Sequence, residues 1–596
     1  MQYQLDALID GIPVQMIQGQ PSTMIQGLSD DSRQVCPGDL FIARGGTAEH
    51  GQKYIQQATQ QGAAAVVLLH GQNPSAQNEI LGKIAKRFYG DPATKLKIIG
   101  ITGTNGKTTT AYILKYLIES YNKKCGLLGT VCIDDGKKVY PAHLTTPGTL
   151  ELYRWLNQMA GQGCKAAVME VSSHALDQGR HAGLKFAASV FTNLTGDHLD
   201  YHHDMATYAQ AKSLLFQALL PSGLAVVNGR DAHSALMASQ SAGVLVQTWV
   251  GTAAERQMRA PLTPDVEKIR AKADEQAEAL DAPAVMGQVV SGVILEMDAA
   301  ASQVLIEMGH TGFTCQLPLV GVFNVSNVLQ AMVACGCVVE LDGRIGEILA
   351  GCPSVPGRLE RVAVQGVPGP TVFVDYAHTH DALENVLQAV GQTVGKALGY
   401  AVGDRVSDDD FFQQAPAPVT SDFDQSSEDV GGDDEDALEV PLDVTKQERA
   451  KLWVVFGCGG DRDKTKRAKM GRVAKSLADV VVVTSDNPRS EDPEEIIRQI
   501  CQGVCDRELA PNTAWQAALA KQAQEGDQTT HLRVITDRSQ AIAYAIANAS
   551  AGDVVVIAGK GHEDYQILGQ QRIDFDDRIH ARRALANRRL SDEKNN

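Results

Sequence analysis

Gly103, Gly106, Lys107 and Thr108 stand in the run Ile101-Thr-Gly-Thr-Asn-Gly-Lys-Thr-Thr-Thr110, whose spacing suits a phosphate-cradling loop. Glycines let the backbone turn its N–H groups toward an anion, and the helix opening after them adds more such donors. A lysine there can reach terminal phosphates, and the hydroxyl after it can ligate Mg²⁺. Ile101 takes the place of the first glycine of the usual pattern. An apolar stretch at 96–101 leads in and a helical pattern at 111–121 leads out. This context marks Gly103, Thr104, Asn105, Gly106, Lys107, Thr108 and Thr109 as candidate nucleotide contacts, with ATP and Mg²⁺ as the implied ligands.

Further clusters stand where apolar strands end. Met169-Glu-Val-Ser-Ser-His-Ala-Leu176 puts Glu170 at such an end, the edge at which open α/β sheets bind ligands. A hard cation favours carboxylate and hydroxyl oxygens, so Glu170 suits Mg²⁺ opposite Thr108; a helix-capping carboxylate is the plainer alternative. The stretch Phe191-Thr-Asn-Leu-Thr-Gly-Asp-His-Leu-Asp-Tyr-His-His203 gathers two Asp and three His, a second metal or phosphate site in outline, though each histidine alone is ambiguous. Lys212 follows on a helical pattern at 205–219 and by itself reads as a solvated charge.

Farther on, Asn327 of Phe323-Asn-Val-Ser-Asn327 falls at a helix start, where it can cap the helix or read a base. Arg358 of Pro356-Gly-Arg358 suits a transferring phosphate, and Asp375 of Asp375-Tyr-Ala-His378 suits ribose hydroxyls. Asp486-Asn-Pro-Arg489 and Ala558-Gly-Lys-Gly-His-Glu-Asp-Tyr565 end two later strands. Arg489 fits a carboxylate and Glu563 an ammonium group, a pair that one amino acid satisfies.

The elements that must position these residues fall into three blocks, as a chain of 596 residues requires. Residues 1–95 carry short apolar runs at 39–43 and 63–69. Residues 96–345 alternate strands at 166–170, 188–193 and 223–228 with helices, which argues for a mostly parallel sheet. Residues 346–596 start again with strands at 371–375, 452–456, 479–484 and 553–558. A charged, helix-prone stretch at 253–278 reads as a peripheral insertion. The net charge of −17 lies mostly in residues 402–443, which hold fourteen Asp or Glu against one Arg. That segment is expected to be a poorly ordered acidic insertion, or an interaction handle. The remainder is nearly balanced and gives no basic face for nucleic acid. No apolar run is long enough to span a membrane and the first ten residues lack a signal-peptide pattern, so a cytoplasmic location is expected. The eleven cysteines lack metal-type spacing and read as reduced thiols.

Taken together, these motifs resemble the Mur ligase family, the ATP-dependent amide ligases of bacterial cell-wall synthesis. The resemblance runs nearly the whole length and in family order: the phosphate loop, Thr145-Thr-Pro147, the Glu170 run, the Asp197–His203 cluster, then those of Asn327, Arg358 and Asp375. It implies a three-domain α/β architecture with a central phosphate-loop ATPase domain and a Rossmann-like C-terminal domain. Gly457-Cys-Gly-Gly-Asp-Arg-Asp463, the Arg489 tetrad and the Glu563 turn are similar to those of the meso-diaminopimelate-adding branch. Arg489 makes chemical sense there, because diaminopimelate is lysine with a second carboxylate.

By that resemblance Thr108 and Glu170 hold one Mg²⁺. Lys212, carbamylated by CO₂, holds a second alongside His198. Lys107 lies on the phosphates, and Asn327, Arg358 and Asp375 contact ATP. Ser32, Thr145, Thr146, Ser172, Gln178 and Arg180 hold a UDP-muramoyl-dipeptide. Arg462, Asp486, Asn487, Pro488, Arg489, Gly559 and Glu563 hold the incoming amino acid. The small-molecule substrates imply neither nucleic acid nor membrane insertion, and a monomer is expected. Thr47-Ala48-Glu49 and His380 depart from the family pattern, and the acidic insertion has no counterpart in it. Rival readings are a lysine-adding relative, a folylpolyglutamate-synthase-like enzyme, and a phosphate-loop ATPase that switches a protein partner.

Overall fold

The computed structural model describes residues 2–45, 51–71, 73–252, 255, 289–309, 311–394, 449–507, 509, 515 and 531–595. The expected acidic insertion at 402–443 and Thr47-Ala48-Glu49 lie outside these residues, as does the 253–278 stretch apart from Glu255.

Runs of Val, Ile, Leu and Ala buried on both faces make parallel strands, and three such sheets organise the chain. The first has four strands in the order Gln15–Gln18, Ala65–Leu68, Asp39–Ala43, Gly27–Ser29. The second has eleven. Its middle runs parallel from Cys125–Leu128 through Ala166–Glu170, Lys97–Thr102, Phe186–Phe191, Leu219–Asn228 and Val244–Thr252 to Val289–Met297. Both of its edges are antiparallel: Cys132–Asp134 and Val139–Pro141 on one side, Ser302–Met308 and Thr311–Leu317 on the other. The mostly parallel expectation therefore holds in the middle, while short links at both edges turn the chain straight back, which only antiparallel pairing allows.

The third sheet orders Glu360–Val362, Thr371–Asp375, Val554–Ala558, Leu452–Phe456, Val480–Val483 and His531–Val534. It is parallel except at its first pair. In the eleven-stranded sheet the strand ends named above open onto helices: Lys107–Ser120 follows Lys97–Thr102, and Ser173–Asp177 follows Ala166–Glu170. Local chemistry fixes the helix starts. Asp204 accepts from the Thr207 amide at 2.7 Å, Thr379 from Ala382 at 3.2 Å and Asp492 from Glu494 at 3.0 Å. His380 takes the first helical position after Thr379, a place that proline also suits. The helix Val322–Cys335, buried along most of its length, lies against Lys107–Ser120 and joins the core beneath the phosphate loop. All eleven cysteines are unpaired thiols.

The C-terminal helix Asp577–Asn595 is anchored by one ion pair with no exposed side-chain surface on either partner. Arg538 gives Nε and Nη2 to the two Asp577 oxygens at 2.7 Å each, and Nη2 also reaches the Ala558 carbonyl at 2.9 Å. Removing one member of such a pair strands a buried charge. Asp577→Ala is expected to destabilise the full chain by about 3–5 kcal/mol in urea unfolding. The double variant Arg538→Met/Asp577→Leu should lose much less than the two single changes together. A loss below about 1 kcal/mol for Asp577→Ala would contradict this anchoring.

Candidate active site

The phosphate loop is clamped from two sides. Gly103 and Gly106 have φ of +146° and +86°, in the left-handed half of backbone space. A Cβ on Gly103 would stand 1.9 Å from Thr192 Oγ1, and one on Gly106 2.4 Å from Asn327 Oδ1. Asn193 accepts the Thr104 amide on its carbonyl at 2.8 Å and the Asn105 amide on its side chain at 2.9 Å. The first turn of Lys107–Ser120 is left to offer N–H groups that no helical carbonyl can take.

Glu170 closes the far side of the loop and is almost fully buried. Its carboxylate accepts Thr108 Oγ1 at 2.9 Å, the Thr130 amide at 2.9 Å and Thr130 Oγ1 at 3.0 Å. The helix-capping alternative fails, because Ser172 caps Ser173–Asp177 by accepting the Ala175 amide at 3.2 Å. From the C-terminal sheet Arg358 brings Nη2 to 3.2 Å from Thr108 Oγ1.

Lys107 Nζ donates to the Gly103 and Thr104 carbonyls, both at 2.8 Å. Lys212 Nζ donates to the same Gly103 carbonyl at 2.9 Å and lies 4.2 Å from the Tyr208 ring centre. Lys212 is 1% exposed, so the solvated-charge reading is overturned. Tyr208, Lys212, Leu215 and Phe216 fall at i, i+4, i+7 and i+8 on the buried face of Met205–Gln217, and that periodicity was the available signal. Burial depresses both lysine pKa values, and the Lys107 charge depresses Lys212 further, well below the usual lysine range. His198 is exposed, with φ of +56°, and its ring stands 6.3 Å from Tyr208. Among the described residues no three His, Cys, Asp or Glu side chains gather as a metal cage.

Asn327 is buried beneath the loop, where its Oδ1 accepts Thr110 Oγ1 at 3.3 Å. Asp375 braces the Arg358 turn: its two oxygens accept the Leu359 amide at 2.6 Å and the Ala377 amide at 2.7 Å. Leu359 is thereby held at φ +42°, and the Arg358 guanidinium lies 4.7 Å over the Tyr376 ring.

A second network surrounds the strand end at Glu170. Thr145 Oγ1 lies 3.1 Å from Thr130 Oγ1, and Thr146 Oγ1 donates to the Glu170 carbonyl at 2.9 Å and accepts the Ser172 amide at 3.0 Å. Arg180 donates to the Thr146 carbonyl at 2.9 Å and twice to Gln178 Oε1, at 3.0 and 2.8 Å. Burial, then the charge of Arg44, lowers the Arg180 pKa, so this edge of the cleft favours an anion. Ser32 stands apart, donating to Gln57 Oε1 at 2.8 Å.

In the third cluster Asn487 Nδ2 donates to Glu563 Oε2 at 3.0 Å, joining the 486–489 loop to the 559–563 turn. Arg489, at φ +52°, donates to the Gly460 carbonyl at 2.7 Å. Pro488 is buried against Gly460, Gly559 has φ +116°, and Arg462 is exposed on the neighbouring loop. Arg467, wholly buried, grips both Glu491 oxygens at 3.0 and 2.9 Å and so ties this loop down. Sequence reasoning missed Thr130, Tyr208, Arg467 and Lys560. The glycines flanking Lys560 were a signal; Thr130 carries none.

Comparison with known proteins gives family matches along the chain. The description "Mur ligase middle domain" matches residues 101–335, "Mur ligase, glutamate ligase domain" residues 429–561, and "Mur ligase family, catalytic domain" residues 24–93. The chain is 37% identical to a UDP-N-acetylmuramoyl-L-alanyl-D-glutamate–2,6-diaminopimelate ligase of Gloeobacter violaceus, covering 96% of this chain and 95% of that protein. It is 35% identical to the like-named ligase of Geobacillus thermodenitrificans, covering 98% and 100%. A solved structure bearing the same name aligns with a TM-score of 0.58 at 28% identity, over 99% of this chain and 100% of that one. MurF from Acinetobacter baumannii, at 14% identity and a TM-score of 0.53 over 99% of each chain, shares the fold.

The Arg467–Glu491 pair gives a pH signature. Arg467 holds Glu491 down to about 2, from an ordinary 4.5. A depressed carboxylate stabilises the fold above its unfolded pKa, and that contribution is lost as pH falls through the folded value. The unfolding free energy of the native chain should exceed that of Glu491→Gln most at neutral pH, and the gap should close between pH 4.5 and about 2. A gap that does not change with pH would contradict the pairing.

Proposed function

The chain belongs to the Mur ligase family, and on that premise we propose that it joins meso-2,6-diaminopimelate to the D-Glu γ-carboxylate of UDP-N-acetylmuramoyl-L-alanyl-D-glutamate, using ATP. The observation that carries this reading is the junction of the Arg489 loop with the Glu563 turn, closed by the 3.0 Å Asn487–Glu563 bond. It joins the loop that carries Arg489 to the turn that carries Glu563, so a guanidinium and carboxylates stand on adjoining segments, the groups that an amino acid with an extra carboxylate requires.

The residues fit ATP and Mg²⁺. Glycines with left-handed φ shape the phosphate loop, and Thr108 and Glu170 offer the hard oxygen donors that Mg²⁺ takes. Bound there, Mg²⁺ supplies charge neutralisation while two anions approach each other. Lys107, released from its loop carbonyls, and Arg358, already beside Thr108, add positive charge at the same place. The D-Glu carboxylate attacks the γ-phosphorus and ADP departs. The resulting acyl phosphate is attacked by the diaminopimelate amine, which gives up a proton as phosphate leaves. Thr145, Thr146, Ser172, Gln178 and Arg180 orient the acyl donor, with Ser32 on the uridine side. Asn327 and Asp375 shape the nucleotide end. Asp486 and Glu563 hold an ammonium group, and Arg489, with Arg462 and the 559 turn, holds the distal carboxylate.

Lys212 belongs to this reading as a carbamate. Burial and the Lys107 charge favour its neutral amine, which adds to CO₂ with loss of one proton and turns a cation into an anion. With His198 it would serve a second Mg²⁺ site. Among the described residues no helix is long and apolar enough to cross a membrane, and we place the enzyme in the cytoplasm as a monomer.

Phosphate release tests this directly. With UDP-muramoyl-dipeptide and ATP, release should require an amino acid and favour meso-diaminopimelate over lysine and over glycine. Arg489→Ala should cut the diaminopimelate-to-lysine ratio of kcat/KM about a hundredfold, the scale of one lost charge-assisted pair. Release that ignores the acceptor would mark a nucleotide switch instead. An unchanged ratio in Arg489→Ala would remove the assigned selectivity.

A further inference from the structure

One buried amine takes no part in the chemistry described so far. Lys560 sits between Gly559 and Gly561, at φ +116° and +54°. These two reversals, directly after the strand Val554–Ala558, turn its side chain inward, and none of that side chain is exposed. A Cβ on Gly561 would stand 2.7 Å from Tyr376 Cβ, so the turn has no room to relax. Lys560 Nζ lies 3.3 Å from Asp486 Oδ1, 3.2 Å from Asn487 Oδ1 and 3.6 Å from Glu563 Oε2. The ammonium group thus has two hydrogen-bond acceptors on the 486–489 loop and an ion-pair partner on the 559–563 turn.

The charge count is the point of interest. Asp486 and Glu563 bring two negative charges and Lys560 one positive, which leaves the excess that a single ammonium group balances. Other cations nearby face the tyrosine rings or carry partners of their own: Arg358 lies 4.7 Å over Tyr376 and Arg572 3.9 Å over Tyr565. Arg538 lies behind, on the Ala558 carbonyl, and is neutralised by Asp577. Tyr376 and Tyr565 face Glu563 as neutral phenols, and Arg489 faces Tyr565 from the loop assigned to the substrate carboxylate. Burial and then Asp486 push the Glu563 carboxyl upward, and Lys560 opposes them. Without Lys560, two buried carboxylates would share one proton, as close like charges do.

We propose that Lys560 is a positioning residue that sets the charge of the amine subsite: it keeps Asp486 and Glu563 both ionised, so that the subsite receives one ammonium group without first giving up a proton. The proposal rests on the reading of these loops as the amino-acid site.

The test is calorimetric titration of meso-diaminopimelate into the full chain preloaded with UDP-muramoyl-dipeptide and a non-hydrolysable ATP analogue. It is run at neutral pH in two buffers of different ionisation enthalpy, which counts protons. Lys560→Met should bind at least tenfold more weakly and release close to one proton more than the native chain, whereas Lys560→Arg should match the native count. Lys560→Met/Asp486→Asn, with a single carboxylate and so no shared proton to give up, should lose the extra proton release and regain affinity. A merely structural lysine would weaken binding without moving the proton count, and that result in Lys560→Met overturns the proposal. Should Lys560→Met not fold, Asp486→Asn alone reads the balance from the other side. It should bind at least tenfold more weakly with no extra proton released, and native affinity there overturns the proposal too. Glu563→Gln separates the two levels. If it leaves diaminopimelate affinity unchanged, the amino-acid site itself is misassigned. If it weakens binding while Lys560→Met keeps the native proton count, only the role of Lys560 fails.

Discussion

Lys107 and Lys212 both donate to the carbonyl oxygen of Gly103, at 2.8 and 2.9 Å. Two ammonium groups sharing one acceptor stand less than about 6 Å apart and repel by roughly 3 kcal/mol or more at an effective dielectric of about 20. One carbonyl dipole does not offset that repulsion. The loop therefore favours two outcomes, an anion bound against it or one amine giving up its charge, and the proposed chemistry uses both. Much of the surrounding structure serves to keep that carbonyl where it is. Thr192 and Asn193 hold one side of the loop, and the buried helix Val322–Cys335 blocks the other through Asn327. Tyr208 fixes the approach of Lys212 while its hydroxyl lies 3.2 Å from Thr104 Oγ1.

The same constraint reaches the 559–563 turn through backbone contact. A Cβ on Gly357 would stand 2.1 Å from the His562 nitrogen, so the Arg358 turn and the Glu563 turn are in direct contact. Tyr376 is wedged between them, 4.7 Å from the Arg358 guanidinium and 5.0 Å from the His562 ring. A shift of the 559–563 turn is thus felt by the guanidinium that touches Thr108. The two turns form one interlocked unit, which leaves no room for a side chain at 357 and 561; on the proposed reading that unit serves both phosphate and acceptor.

Strand ends were the legible part of the sequence. Apolar runs ending in Glu170, Asp375 and the Arg489 tetrad could be placed because burial on both faces leaves a local mark, and the strands 166–170, 371–375 and 452–456 coincide with those observed. What escaped was contact between distant segments. Nothing near Lys212 in the chain announces Gly103, and only its place on the apolar face of its helix hinted at burial. Thr130 has no motif around it, yet it supplies two of the bonds that hold Glu170. Asp375 suits ribose hydroxyls by its place at a strand end; in the fold both its oxygens also brace the Arg358 turn, a use that depends on a neighbouring strand and not on residues beside it.

The central claim is that Lys212 escapes the repulsion at Gly103 by reacting as a neutral amine. Carbon-13 NMR of the full chain equilibrated with labelled bicarbonate reads this directly, because a carbamate carbon resonates apart from bicarbonate and CO₂. The account predicts one such resonance per chain, absent from Lys212→Ala. A spectrum of the native chain with no carbamate signal beyond that of Lys212→Ala would contradict it.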